Sequence, residues 1–272
     1  MKIPLYQIDA FTDRPFAGNP AAVCPLEEWL EDEVMQSVAA ENNLSETAFF
    51  VPEADACHLR WFTPEMEVEL CGHATLASAW VLWNRLGLEA PVISFRTLSG
   101  TLTVERLENG LLAMTLPAAL PRTSFKTPPQ LKEGLGAEPQ EILVAPYGSE
   151  RNFLALFAQP SQVADLRPDF PALAQMEKTG VIATAPGGQG DYADCDFVSR
   201  YFAPGFGIDE DPATGSAHAT LAPFWASRLG RDELFARQIS RREGKIWCRT
   251  EGDRVVVMGQ AVCVIEGSVE LS

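Results

Sequence analysis

The sequence predicts an α+β chain of two pseudo-symmetric lobes, each a β-barrel-like sheet around a central helix. Three observations carry that expectation. First, the chain contains one pattern twice. Arg60–Trp61–Phe62–Thr63–Pro64 is echoed by Arg200–Tyr201–Phe202–Ala203–Pro204, Gly72–His73–Ala74 by Gly215–Ser216–Ala217, and Arg85–Leu86–Gly87 by Arg228–Leu229–Gly230. From Gly72 to Gly87 the offset is a constant 143 residues, and the second copy carries three extra residues between its proline and its helix. Solenoid units are far shorter, so a repeat of this period describes two similar halves. Second, the helix expected after Gly72 (Ala74 to Trp83) is apolar almost all round, the mark of a helix enclosed by its own domain. Third, strand-like runs from the same half flank it. The expected boundaries are 1–117 for the N-terminal lobe, 118–129 for a linker and 130–272 for the C-terminal lobe.

In chain order, Ile3–Phe11 alternates as an opening strand. Thr12–Pro20 is a loop by its Gly, Pro and Asn content, and Ala21–Leu26 a short strand. Within that loop, Gly18–Asn19–Pro20 is either a plain turn or a segment that offers an amide to a ligand. Asp32–Asn42 has helical periodicity, with Val34, Met35, Val38 and Ala39 as its apolar stripe. It stops at Asn42–Asn43, and Leu44–Val51 reads as a strand. Glu46 thus heads an apolar run, either as an exposed end-of-strand charge or as a half-buried acid. Burial raises a carboxyl pKa, which suits a general acid/base.

Arg60–Phe62 is a strand, and Met66–Leu70 leads into Cys71–Gly72–His73 and the apolar helix. Strands follow at Val92–Arg96, Thr101–Glu105 and Leu111–Leu116, with turns at Ser99–Gly100 and Glu108–Gly110. Pro117–Pro129, with four prolines, is the linker. The second half opens with a short helix at Gln130–Leu135 and strands at Ile142–Tyr147 and Phe153–Phe157. Ser161–Met176 is helical but broken by Pro168 and Pro171. Val181–Thr184 and Phe197–Phe202 are strands. The helix after Gly215 is rich in Ala and Leu, and Pro223 is expected to kink or cut it about two turns in. Phe235–Leu271 is β-rich, and the sequence leaves open whether its last strand completes the first lobe.

The stretch Gly207–His218 packs acidic residues, a proline turn and a small-residue helix start together. Gly, Ser and Ala after Asp-Pro let a ligand approach the first turn of a helix, whose free amides and dipole favour an anion. A merely capped helix has a similar sequence. One such start in each half would let two helix N-termini face one cleft.

The bulk numbers exclude more than they assign. A net charge of −16 argues against nucleic acid, which needs clustered Lys and Arg. The N-terminus shows no signal-peptide core and no stretch approaches membrane-spanning length, so no membrane role is expected. Six cysteines without a CxxC pair are expected as reduced thiols in the cytoplasm. The three histidines show no metal-ligand spacing, so no metal is expected.

Glu46, Cys71–Gly72–His73–Ala74–Thr75 and Asp211–Pro212–Ala213–Thr214–Gly215–Ser216 together form a recognisable set. With Asp9–Ala10–Phe11–Thr12 and Gly18–Asn19–Pro20–Ala21–Ala22–Val23, they make the chain resemble the PhzF-like (phenazine biosynthesis-like) isomerases, which share the fold of diaminopimelate epimerase. The resemblance implies a cofactor-free proton transfer between carbons of a small carboxylate, cyclic or not, performed in a cleft between the lobes of a homodimeric enzyme. Glu46 matches the general acid/base. His73 and Asp211 match catalytic positions, and Ser216 a residue lining the site. Gly72 and Gly215 match the helix starts that cradle the substrate's carboxylate, and Asn19 falls in the matching GNP segment as a substrate-binding candidate. An amino-acid racemase of this fold uses one cysteine from each half. Here Cys71 holds the first position, but Thr214 holds the second, and a hydroxyl is far too weak an acid for that role. Two-base racemisation is therefore disfavoured. The alternative to an enzyme is a small-molecule-binding or protein-interaction module on the same fold.

Overall fold

The computed structural model describes residues 1–53, 56–124, 126–147 and 150–271. Residue 125, inside the expected linker, lies outside them. The chain forms two compact units, Met1–Thr115 with Met258–Ser272, and Leu116–Val257. Each is a strand-rich sheet that encloses one apolar helix. Among the described residues no helix is long and apolar enough to cross a membrane.

In the first unit, strand Lys2–Ala10 pairs antiparallel with both Asn19–Pro25 and the last strand, Ala261–Glu270, so the C-terminus does complete this unit. Helix Asp32–Asn42 connects Asn19–Pro25 to the parallel strand Glu46–Pro52. Asp32 and Glu33 favour its N-terminus through the helix dipole, and Asn43 ends it in the left-handed conformation (φ 49°). Met35, Val38 and Ala39 of the expected stripe are buried against Cys24, Phe49 and Phe62. Cys57–Phe62 continues the sheet, and Val92–Thr97, Gly100–Arg106 and Leu112–Pro117 follow as a meander. The enclosed helix is Gly72–Asn84. Ten of its thirteen residues are buried, as its lack of a polar face requires.

The second unit repeats the plan. Glu150–Leu156 runs parallel to Thr179–Pro186, and two short helices, Pro160–Ala164 and Phe170–Ala174, make the crossover. Proline sits in the first turn of each, where a missing N–H costs nothing. Phe197–Ala203 pairs with Thr179–Pro186, Ile208–Asp211 and Glu233–Gln238. The proline-rich segment 118–129 contributes a two-residue strand, Arg122–Thr123, to Glu141–Tyr147.

The enclosed helix of this unit, Gly215–Leu229, continues past Pro223, so of the two outcomes expected there the proline does not cut it. Pro223 cannot donate to the carbonyl of Ala219, four residues earlier. The Ala119 N–H does so instead, at 3.0 Å, so the buried carbonyl keeps a partner. Trp225 further anchors the helix, stacking on Phe197 with ring centroids 5.7 Å apart and donating to Thr184 Oγ1 at 3.0 Å.

Candidate active site

Two parallel strands of the first unit begin side by side, and each carries a polar residue at its head. Ala21 pairs with Glu46, so Asn19 and Glu46 open neighbouring strands at the same end of the sheet. The loop before Asn19 is held tightly. Asp9, fully buried, accepts the Phe16 N–H at 2.7 Å. Phe11 and Phe16 adopt φ of 61° and 67°, a strained conformation for aromatic residues. Gly18 is required where it stands: its φ is +63°, and a Cβ there would lie 2.1 Å from the Ala10 carbonyl oxygen.

His73 comes from the first turn of the enclosed helix. Its Nε2 lies 3.2 Å from Glu46 Oε2, and its Nδ1 lies 3.1 Å from Asn19 Nδ2 and 3.5 Å from Cys71 Sγ. The Glu46–His73 approach is a close ionic contact rather than an aligned hydrogen bond, and neither atom finds another protein partner. Only 13% of the Glu46 side chain and 6% of the His73 side chain are exposed. Of the two readings open for Glu46, the structure therefore selects the largely buried acid.

Electrostatics follow from this burial. Desolvation pushes the Cys71 thiol up to about 11, helped by the Glu46 charge, so it stays protonated at neutral pH. For His73, burial acts to lower the imidazole pKa, but the neighbouring Cys71 and Glu46 raise it further, leaving it well above its ordinary value. A neutral ring would accept at Nδ1 from the Asn19 amide and carry its proton on Nε2, towards Glu46.

The second unit gathers its own polar group. Asp211 ends a strand, 9% exposed, and its Oδ2 accepts a hydrogen bond from the Thr214 hydroxyl. Gln238, fully buried, ties the loop together: its Oε1 accepts the Thr214 N–H at 2.8 Å, and its Nε2 donates to the Asp211 carbonyl at 2.7 Å and Thr214 Oγ1 at 3.0 Å. Ser240 Oγ donates to the Pro212 carbonyl at 2.7 Å. The helix then starts at Gly215 with no side-chain cap, as the first enclosed helix does at Gly72. His218, one turn in, hydrogen-bonds the Thr214 carbonyl through Nδ1 at 2.8 Å.

Among the residues singled out by sequence, Asn19, Glu46, Gly72 and His73 thus come together in the first unit, and Asp211, Gly215 and Ser216 in the second. Asn19 touches His73, a contact no local pattern announces. Gln238 and Ser240 were not anticipated, since a lone glutamine and serine near a strand end read as solvated. Glu46, Cys71 and His73 also place one ligating atom each within 4.8 Å of one another, a proximity that sequence spacing does not show.

Residues 8–267 match the family of phenazine biosynthesis-like proteins, PhzC-PhzF. An uncharacterised isomerase of Pseudomonas aeruginosa is 47% identical over 271 residues, covering all of both chains. The crystal structure of a PhzF-family phenazine biosynthesis protein from Enterococcus faecalis aligns over 100% of both chains, with TM-score 0.90 and 42% identity. At 21% identity, a predicted epimerase of Pseudomonas aeruginosa covers 99% of this chain and 100% of its own with TM-score 0.76, a likeness of fold.

Proposed function

The chain belongs to the phenazine biosynthesis-like family and is an isomerase, and from that premise we propose that it moves a proton between carbons of a small carboxylate, cyclic or not, without a cofactor, Glu46 taking and returning the proton. The observation that carries this reading is the largely buried Glu46 carboxylate 3.2 Å from His73.

Removing a proton from carbon beside a conjugated carboxylate spreads negative charge into the substrate. Glu46 accepts that proton, and a His73 imidazolium then offsets the charge that develops. Uncapped amides at the helix start, Gly72 among them, favour the substrate's own carboxylate. Low exposure around Glu46 keeps water from taking the proton, so the same side chain can return it to another carbon. The Thr214 hydroxyl, engaged with Asp211, supports one base over a two-base racemase. The proposal retains for Asp211, Gly215, Ser216 and Asn19 the catalytic and substrate-holding roles that the family resemblance implies. It also takes the enzyme to be a cytoplasmic homodimer, which light scattering on the purified chain tests.

The deciding experiment is solvent deuterium exchange, followed by NMR, into a panel of cyclic and amino-acid-derived carboxylates. Wild-type chain should exchange at least one substrate carbon and Glu46→Gln should not. Equal exchange by a folded Glu46→Gln variant would overturn the assignment. Binding without exchange would favour a non-catalytic module.

A further inference from the structure

We propose that Glu46, Cys71 and His73 form a binding site for a soft divalent cation of the zinc class, and that such a cation shuts off proton transfer. The inhibitory half of this proposal rests on Glu46 being the acid/base; the binding half does not.

The donor set is one carboxylate oxygen, one imidazole nitrogen and one sulfur, all within 4.8 Å of one another. Thiolate, imidazole and carboxylate with a fourth position left for water is a zinc or cobalt set, and a poor one for magnesium or calcium, which take oxygen ligands. Glu46 Oε2 and His73 Nε2 already stand 3.2 Å apart. Two donors at that separation, each about 2.0–2.1 Å from a cation, subtend roughly 100° at it, close to the tetrahedral angle. An independent observation points the same way: both atoms are buried and neither has an aligned hydrogen-bond partner in the protein. Neither is committed to another protein group.

Two adjustments complete the site. Cys71 Sγ lies 3.5 Å from Nδ1, on the other side of the ring, and must rotate about its own side-chain bond towards Nε2. A cation on Nε2 leaves the ring proton on Nδ1, where Asn19 is 3.1 Å away. Turned over, its amide presents Oδ1 as the acceptor that a metal-bound histidine requires. The proton balance is simple. Forming the metal–sulfur bond releases the thiol proton to buffer, and forming the metal–nitrogen bond releases the Nε2 proton. Once the Glu46 oxygen is coordinated, it can no longer accept a proton from carbon.

Cobalt(II) is the probe. Tag-free chain, stripped with a chelator that is then removed, should bind one equivalent. It should show a thiolate-to-cobalt charge-transfer band in the near ultraviolet with visible bands of tetrahedral intensity, both bleached by zinc. Cys71→Ser should abolish the charge-transfer band, and Glu46→Gln and His73→Asn should each weaken cobalt binding at least tenfold, with circular dichroism verifying their fold. No band on wild-type chain, or a band that survives Cys71→Ser, overturns the site. In parallel, zinc should suppress deuterium exchange and a chelator restore it. Exchange that persists at saturating zinc overturns the inhibition and leaves the isomerase reading intact. A cobalt band on a chain that exchanges no substrate supports the site while removing the proton-transfer reading of Glu46.

Discussion

Arg200 grips Glu210 through both arms of its guanidinium, Nε to Oε1 at 2.7 Å and Nη2 to Oε2 at 2.9 Å. Arg60 and Glu67 make the same forked pair in the first unit, at 2.7 and 2.8 Å. The partner is seven residues along in one copy and ten in the other, the three-residue insertion seen in the sequence. Each arginine also lies over a phenylalanine two residues on, Phe62 or Phe202. Arg200 goes further: its Nη1 donates to the carbonyls of Val163 and Leu166.

That difference sets up the first prediction. A lysine cannot reproduce a planar fork or serve two further carbonyls. Arg200→Lys should cost about 2–3 kcal/mol, from lost charge-assisted hydrogen bonds to Glu210 and to the Val163 and Leu166 carbonyls. Arg60→Lys should cost less, about 1 kcal/mol, because its further partner Asp32 has a side chain 70% exposed. Urea unfolding of the two variants compares them directly.

His218 gives the fold an acid limit. It is fully buried, its Nε2 has no protein partner, and desolvation lowers its pKa from 6.5 to about 4. A base whose folded pKa is depressed binds its proton more readily when unfolded. The stability is therefore fully present above pH 6.5 and falls as pH drops towards 4. Over that window the loss amounts to about 3 kcal/mol. His218→Gln should unfold in urea with a midpoint markedly less sensitive to pH between 7 and 4.5 than wild type. An unchanged pH dependence would place the acid lability elsewhere.

Much of this fold is legible in the sequence because the signals are local. Helix Asp32–Asn42 announces itself by its stripe, its acidic first turn and its asparagine stop. The enclosed helix at Gly72 does so by having no polar face. Pro223 does not cut its helix, because the carbonyl it orphans is satisfied by Ala119, about a hundred residues away in the chain, and no helical pattern encodes that donor. The site divides similarly. Glu46, His73 and Asp211 are visible in motifs, whereas the Asn19–His73 contact and the Gln238 brace arise only when strands are paired. Donors scattered at 46, 71 and 73 likewise have no metal-ligand spacing until parallel pairing carries Glu46 to the helix start.

The loop that delivers Asn19 depends on Gly18. A side chain there meets the Ala10 carbonyl and adopts a conformation that L-residues resist. Gly18→Ala should cost at least about 2 kcal/mol of stability, through strain at a special backbone position. It should also lower deuterium exchange, since Asn19 is next in the chain. Gly252→Ala is the control: it too has positive φ (64°), but a Cβ there would meet nothing within 4 Å. It should pay only the conformational cost, about 1 kcal/mol.

The reach of Glu46 provides the sharpest test of its role. Its carboxylate meets His73 from the head of a strand whose backbone is fixed by pairing with Asn19–Pro25. Glu46→Asp keeps the charge but withdraws it by one methylene, beyond contact with His73 and beyond hydrogen-bond reach of a carbon-bound proton that Glu46 could take. Glu46→Gln keeps the reach and removes the base. If proton transfer is the chemistry, Glu46→Gln should lose about 10²–10⁴-fold in exchange rate, the range attributed to a positioned acid/base group. Glu46→Asp should lose on the order of 10²-fold, as misplacement by about 1 Å costs. Substrate affinity should fall far less than turnover in both, because the carboxylate is asked to act on the transition state. A variant that lost binding with turnover preserved would make Glu46 a substrate-holding residue instead.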